Sequence, residues 1–125
     1  MFEGSERRGT VRADFISKIK ITRKDTNEDT FCFTKNIGIG GICAAVNKDL
    51  GIFSEVTLEI SLKEETFDPV VCQGRVVWVI KRSEKDKFGQ DVYDTGFEFI
   101  NISKKCQERI NKLIEQWRAK TEFSE

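Results

Sequence analysis

Asp29-Thr-Phe-Cys-Phe-Thr-Lys-Asn-Ile-Gly-Ile-Gly-Gly-Ile-Cys-Ala-Ala-Val46 is the stretch on which the fold turns. Phe31 and Phe33 stand two apart in a run from Asp29 to Lys35, the period of a half-buried strand. Asn36–Gly41 then places three glycines in six residues, which permits backbone angles or close approaches that a Cβ forbids. Ile42–Val46 leads out as another short strand. A strand, a glycine-rich break and a second strand predict β-structure with hairpin-length connections.

The same period recurs on both sides. From Ala13 to Thr22, Phe15, Ile19 and Ile21 alternate with Asp14, Lys18 and Lys20, and a turn follows at Lys24–Glu28 with Asn27 as its best turn former. Val56, Leu58, Ile60 and Leu62 mark a fourth strand. Pro69 opens a long one from Val70 to about Arg82, where Val71, Val77 and Val79 alternate with Cys72, Val76, Trp78 and Ile80. A polar loop, Ser83–Gly89, leads to a last strand, Gln90–Asn101, with Phe97 and Phe99 on one face.

After Ser103, an N-cap residue type, the period changes. Cys106, Ile110, Leu113, Ile114 and Trp117 form one stripe of an amphipathic helix over about 103–119. The expected fold is therefore mainly β: a six-stranded antiparallel β-barrel with a C-terminal α-helix on an opening or side. A homodimer interface is the alternative use of the stripe. Residues 1–12 are polar and lack an apolar period, so they are expected to form a mobile N-terminal arm, with 13–125 as the barrel domain.

Composition narrows the function. The 125 residues fit one domain. Ten Phe and two Trp are expected to carry much of the core, since large rings bury more area than aliphatic side chains. Lys+Arg and Asp+Glu both total 21, which argues against long nucleic acid, whose binding needs an excess of basic groups. Anion recognition must be local. Cys32, Cys43, Cys72 and Cys106 contain no CxxC pair and there is no histidine, so no metal site is expected and the cysteines read as reduced core thiols. The start, MFEGSERR, is charged, and no apolar run approaches about 18 residues, so neither membrane insertion nor export is expected and the cytoplasm is the default compartment.

Catalysis lacks its usual parts. No histidine is present as general base, no carboxylate pair sits in an apolar setting, and the glycine stretch lacks the ending of a phosphate-binding Walker loop. The chain is read as a binding protein, not an enzyme, without a cofactor. Arg8 and Arg12 are four apart with Arg7 adjacent, and arginine grips phosphate oxygens or the O6/N7 edge of guanine bidentately. Spacing alone leaves this no better than a solvated basic arm.

The order of features resembles the PilZ domain family of bacterial cyclic di-GMP receptors. Glu6–Arg12 matches that family's RxxxR through Arg8 and Arg12, and Asn36–Gly41 matches its [D/N]xSxxG at Asn36 and Gly41. Gly74-Arg-Val-Val-Trp78 and Gly96-Phe-Glu-Phe99 are weaker echoes, and the resemblance spans roughly residues 6–117. It departs at Gly38, which stands where the family has serine, at a cost of one polar contact worth roughly 0.5–1.5 kcal/mol. The resemblance implies a ligand site of Arg7, Arg8, Arg12, Asn36, Gly38 and Gly41, with two nucleotides per protomer on account of Arg7. It also implies an arm that orders on the ligand and signals to a separate, unidentified protein. A ligand-independent interaction module and a barrel for single-stranded nucleic acid are the alternatives.

Overall fold

The computed structural model describes residues 12–13, 16–61 and 69–123, with side chains for 16–61 and 69–116. Among the described residues the strands are β1 (Arg12–Ala13), β2 (Lys18–Arg23), β3 (Asp29–Gly38), β4 (Gly41–Val46), β5 (Glu55–Ile60), β6 (Val70–Lys81) and β7 (Tyr93–Ile100), followed by a helix, α1 (Lys104–Phe123). Six of them close into an antiparallel barrel in the order β3–β2–β5–β6–β7–β4, with β4 pairing back onto β3. The short β1 adds to the far end of β3. This is the expected barrel and helix, and closure leaves the six long strands without an open edge.

Alternation decides which side chains fill the interior. Ile19 and Ile21 of β2, Leu58 and Ile60 of β5, Val70, Cys72 and Val76 of β6, and Phe97 of β7 all belong to one buried cluster. The aromatic core expected from composition is corrected here. Cys32 lies opposite Ile19 and packs against the core, so its neighbours Phe31 and Phe33 face solvent, 70% and 56% exposed. Phe53 and Phe88 lie outside the strands and are exposed as well. A narrow barrel is filled instead by Ile, Val and Leu, whose branched side chains suit a pleated wall.

Strand ends also differ from the period-two reading. The first long strand begins at Lys18, since Ile16 and Ser17 lie outside the ladder, and Phe15 and Leu62 fall outside the described residues. The last strand starts at Tyr93 rather than Gln90, after a loop in which Arg82 donates its amide to the Val92 carbonyl.

Ser103 caps α1 as its residue type predicts: its hydroxyl accepts the Cys106 amide at 3.1 Å. Ile110 and Ile114 are buried in the barrel's cluster. Arg109 donates to the Pro69 carbonyl and the Cys106 thiol to the Val71 carbonyl, each at 3.4 Å. The described part of the stripe is therefore spent inside the molecule, on the barrel end where β3 finishes and β6 begins. Of the two uses weighed for the stripe, this is the intramolecular one. Among the described residues no helix is long and apolar enough to cross a membrane.

Candidate functional site

The site grows out of an irregularity in β3. Thr34 is buried at 2% exposure and Ile37 at 1%, so two residues rather than one lie between consecutive inward positions. The register against β4 shifts at this point: Thr34 pairs with Ala44, Asn36 with Cys43, and Lys35 is the extra residue of a β-bulge. A regular strand would turn Asn36 inward and Ile37 outward. The bulge instead sets Lys35 and Asn36 side by side on the outer wall. It also explains why the apolar alternation of this segment does not run through the motif.

The glycine-rich stretch that follows is a hairpin turn. Ile37 pairs with Ile42, leaving Gly38-Ile39-Gly40-Gly41 to reverse the chain. The Gly40 carbonyl accepts the Phe99 amide at 3.0 Å, which ties the turn to β7. A Cβ on Gly41 would stand 2.2 Å from the Phe97 carbonyl oxygen, so glycine here is demanded by the neighbouring backbone.

Backbone pairing brings the N-terminal residues to this turn. Arg12 lies opposite Gly38 and Ala13 opposite Ile37. On the other side of the bulge Ser17 is held to Thr34 by two hydrogen bonds of 2.9 Å, one from the Ser17 amide to the Thr34 hydroxyl and one from the Thr34 amide to the Ser17 carbonyl. The chain is thus pinned to β3 above and below the bulge. Arg12 sits one strand spacing, about 4.8 Å of backbone separation, from a residue two along from Asn36. Arg7 and Arg8 lie outside the described residues; of the arm expected over 1–12 only Arg12 is described, and it belongs to β1.

Across the wall the row Asn36–Cys43–Gly96–Trp78 runs from β3 through β4 and β7 to β6. Its middle holds only small side chains, and Ala45 of β4 continues that floor along the strand. Three strand spacings, about 14 Å, separate the backbones of Asn36 and Trp78. Trp78 is 40% exposed, and its indole lies on Gly96, where a Cβ would come within 2.2 Å of the ring. The sequence places Trp78 only in a weaker echo of the family pattern and as one more step in an apolar alternation, not among the candidate site residues. A second bulge explains this: the β6 register shifts between Val76 and Trp78, so Val77 and Trp78 both reach the surface. Both sides of the small-residue floor are therefore bulged strands, and bulges are frequent where a side chain must be re-aimed next to a site.

Charge is distributed unevenly along this trough. Beyond Gly41, Arg75 is paired with Glu98 at 3.0 Å and approaches Glu55 at 3.9 Å, and Lys24 stands 3.9 Å from Glu55 as well, so the four charges of that flank balance. On the other flank Asp94 is gripped by Arg82 through contacts of 2.7 and 3.0 Å, and Lys35 stands 3.4 Å from the same carboxylate. The Arg82 hydrogen bonds hold the Asp94 carboxyl below its usual range, so this flank carries one net positive charge at neutral pH. Burial pushes the Cys32 and Cys72 thiols up to about 12, too high for an appreciable thiolate fraction. No cluster of three or more metal-ligating side chains occurs among the described residues.

Comparison with known proteins agrees with this architecture. The model of the PilZ domain matches residues 6–116. Among solved structures, the chain is similar to the PilZ domain with c-di-GMP of YcgR from Escherichia coli, at a TM-score of 0.74 and 13% identity over 95% of this chain and 97% of that one. It is similar to the MrkH–c-di-GMP complex of K. pneumoniae, at 0.77 and 17% over 96% of this chain and 55% of that one. The Bacillus subtilis inhibitor of motility, MotI/DgrA, matches at 0.73 and 19% over 92% of this chain and 53% of that one. The chain thus spans about half the length of the latter two. A comparison with curated proteins found no match.

Proposed function

The chain belongs to the PilZ domain family, and on that premise we propose that it is a cyclic di-GMP receptor that acts on a separate protein. One observation carries the reading. Arg12 is held opposite Gly38 by strand pairing, two residues from an Asn36 that a bulge has turned onto the outer wall, at the rim of a trough floored by small residues. A flat, dianionic ligand with two purines needs such a floor, a cation at one edge and an amide at the rim. Two of the solved neighbours hold c-di-GMP by their own descriptions.

Arg8 and Arg12 would grip phosphate oxygens and guanine edges, because the guanidinium fork matches both in planar, bidentate fashion. Asn36 would read a guanine edge with an amide that both donates and accepts. Gly38 and Gly41 keep the hairpin low beside the ligand, and Trp78 offers a ring face for stacking at the far rim. Arg7 would stack on a guanine of a second nucleotide, giving two per protomer. The N-terminal segment closes over the ligand, and the new surface of ligand plus arm is what a cytoplasmic partner reads. No bond is made or broken: the role is a receptor's, not an enzyme's.

Calorimetric titration with cyclic di-GMP tests this. Binding is expected for the wild-type chain and lost in Arg8→Ala and Arg12→Ala, with circular dichroism unchanged. A double arginine variant that binds as well as wild type sinks the proposal.

A further inference from the structure

The geometry points to Lys35 as a further cationic contact for cyclic di-GMP beside the arginines, one that reaches a phosphate from the barrel wall; this rests on the receptor reading above. The bulge is what makes the contact feasible. By placing consecutive residues on one face, it sets Lys35 and Asn36 side by side on the outer wall. Lys35 is an exposed residue, and its side chain keeps 44% of its surface open, so it can move without leaving the wall.

Its present partner does not depend on it. Asp94 already receives Arg82 through both carboxylate oxygens, at 3.0 and 2.7 Å, and Lys35 reaches only the oxygen that the nearer of these contacts occupies, at 3.4 Å. If Lys35 swings away, Asp94 keeps its bidentate partner, and no charge is left bare. The flank on which Lys35 stands is the positive one, whereas beyond Gly41 Glu98 and Glu55 are balanced by Arg75 and Lys24. A dianion lying along the trough is therefore drawn toward Lys35 rather than toward the Glu98 end. The backbone of Arg12 lies opposite Gly38, at the hairpin. Lys35 supplies a cation from β3 itself, on the flank of Asp94.

The test compares cyclic di-GMP binding by calorimetry for Lys35→Ala, Lys35→Arg and Asp94→Asn, with melting followed for each. Lys35→Ala is expected to weaken binding about tenfold, the loss of one charge-assisted hydrogen bond. Lys35→Arg is expected to keep most of the affinity. Asp94→Asn is expected to bind as tightly as wild type or more so, because it frees Lys35 and removes a competing anion. If Lys35 only props up Asp94, then Lys35→Ala and Asp94→Asn weaken binding equally, which overturns the inference. Wild-type affinity in Lys35→Ala, in a protein that still depends on Arg8, overturns it while the receptor reading stands. A wild-type chain that binds no cyclic di-GMP removes both.

Discussion

Phe53 holds a φ of 73° in a turn where the Ser54 amide donates to the Gly51 carbonyl at 3.2 Å, and its side chain is 73% exposed. A large side chain in the left-handed region costs roughly 1–2 kcal/mol, since its Cβ crowds the backbone, and burial of the ring does not offset this here. Phe53→Gly is therefore expected to raise stability by about 1 kcal/mol, the strain relief less the extra entropy of a glycine in the unfolded chain. Chemical denaturation measures it; equal or lower stability would show that the ring stabilises the fold. At this same scale the site was partly legible. Asn36, Gly41 and the RxxxR pair stand out because residue type alone restricts what they can do. Lys35 and Trp78 do not, since a lysine and a tryptophan in a strand have many ordinary uses, and only their placement on bulges sets them apart. Gly41 was read as room for a ligand, yet the Phe97 carbonyl already requires it.

Period two identified most of the long strands, because half-buried walls force alternation, while Ile42–Val46 is read from its place after the glycines; the period carries no mark for a bulge. Across Lys35 and Val77 the inward set changes parity, so Phe31 and Phe33 were assigned to a core they face away from. The helix was more legible: a 3.6-residue stripe and a serine cap both follow from local chemistry, and only its end, at Phe123 rather than about 119, differed. Because Ile110 is 1% exposed and belongs to the barrel's own cluster, α1 acts as a lid on the core rather than an appendage. Ile110→Ala should cost about 2–5 kcal/mol through lost contact and a residual cavity. Thermal melting followed at a strand signal and a helix signal distinguishes the possibilities. A single, lowered transition in both is expected, whereas loss of the helix signal alone would mean that the barrel stands without its cap.

For the molecule as a whole, a site spread over the wall of a closed barrel makes binding and stability one linked quantity, since only the folded barrel presents it. The trough is built from three elements distant in sequence: the hairpin of β3 and β4, the start of β7 and the middle of β6. Strand pairing joins them directly to the core. A ligand that bridges Asn36 on β3 and Trp78 on β6 spans four strands of the closed wall, so unfolding the barrel must release it. Binding to the native state alone stabilises by about 2.7 kcal/mol at a ligand concentration one hundred times Kd. For a domain of this size that corresponds to a rise in Tm of about 10 °C. Differential scanning fluorimetry with cyclic di-GMP should show that shift in wild type. On the proposed reading, in which Arg8 grips the ligand, Arg8→Ala should show none at the same concentration. A shift of equal size in the arginine variant would place the nucleotide somewhere other than the trough, and with it the partner-facing surface. The shift should also shrink as ionic strength rises, because cations at the trough's edge are screened over about 10 Å at 0.1 M salt. A shift indifferent to salt would assign the affinity to stacking on Trp78 rather than to the cations.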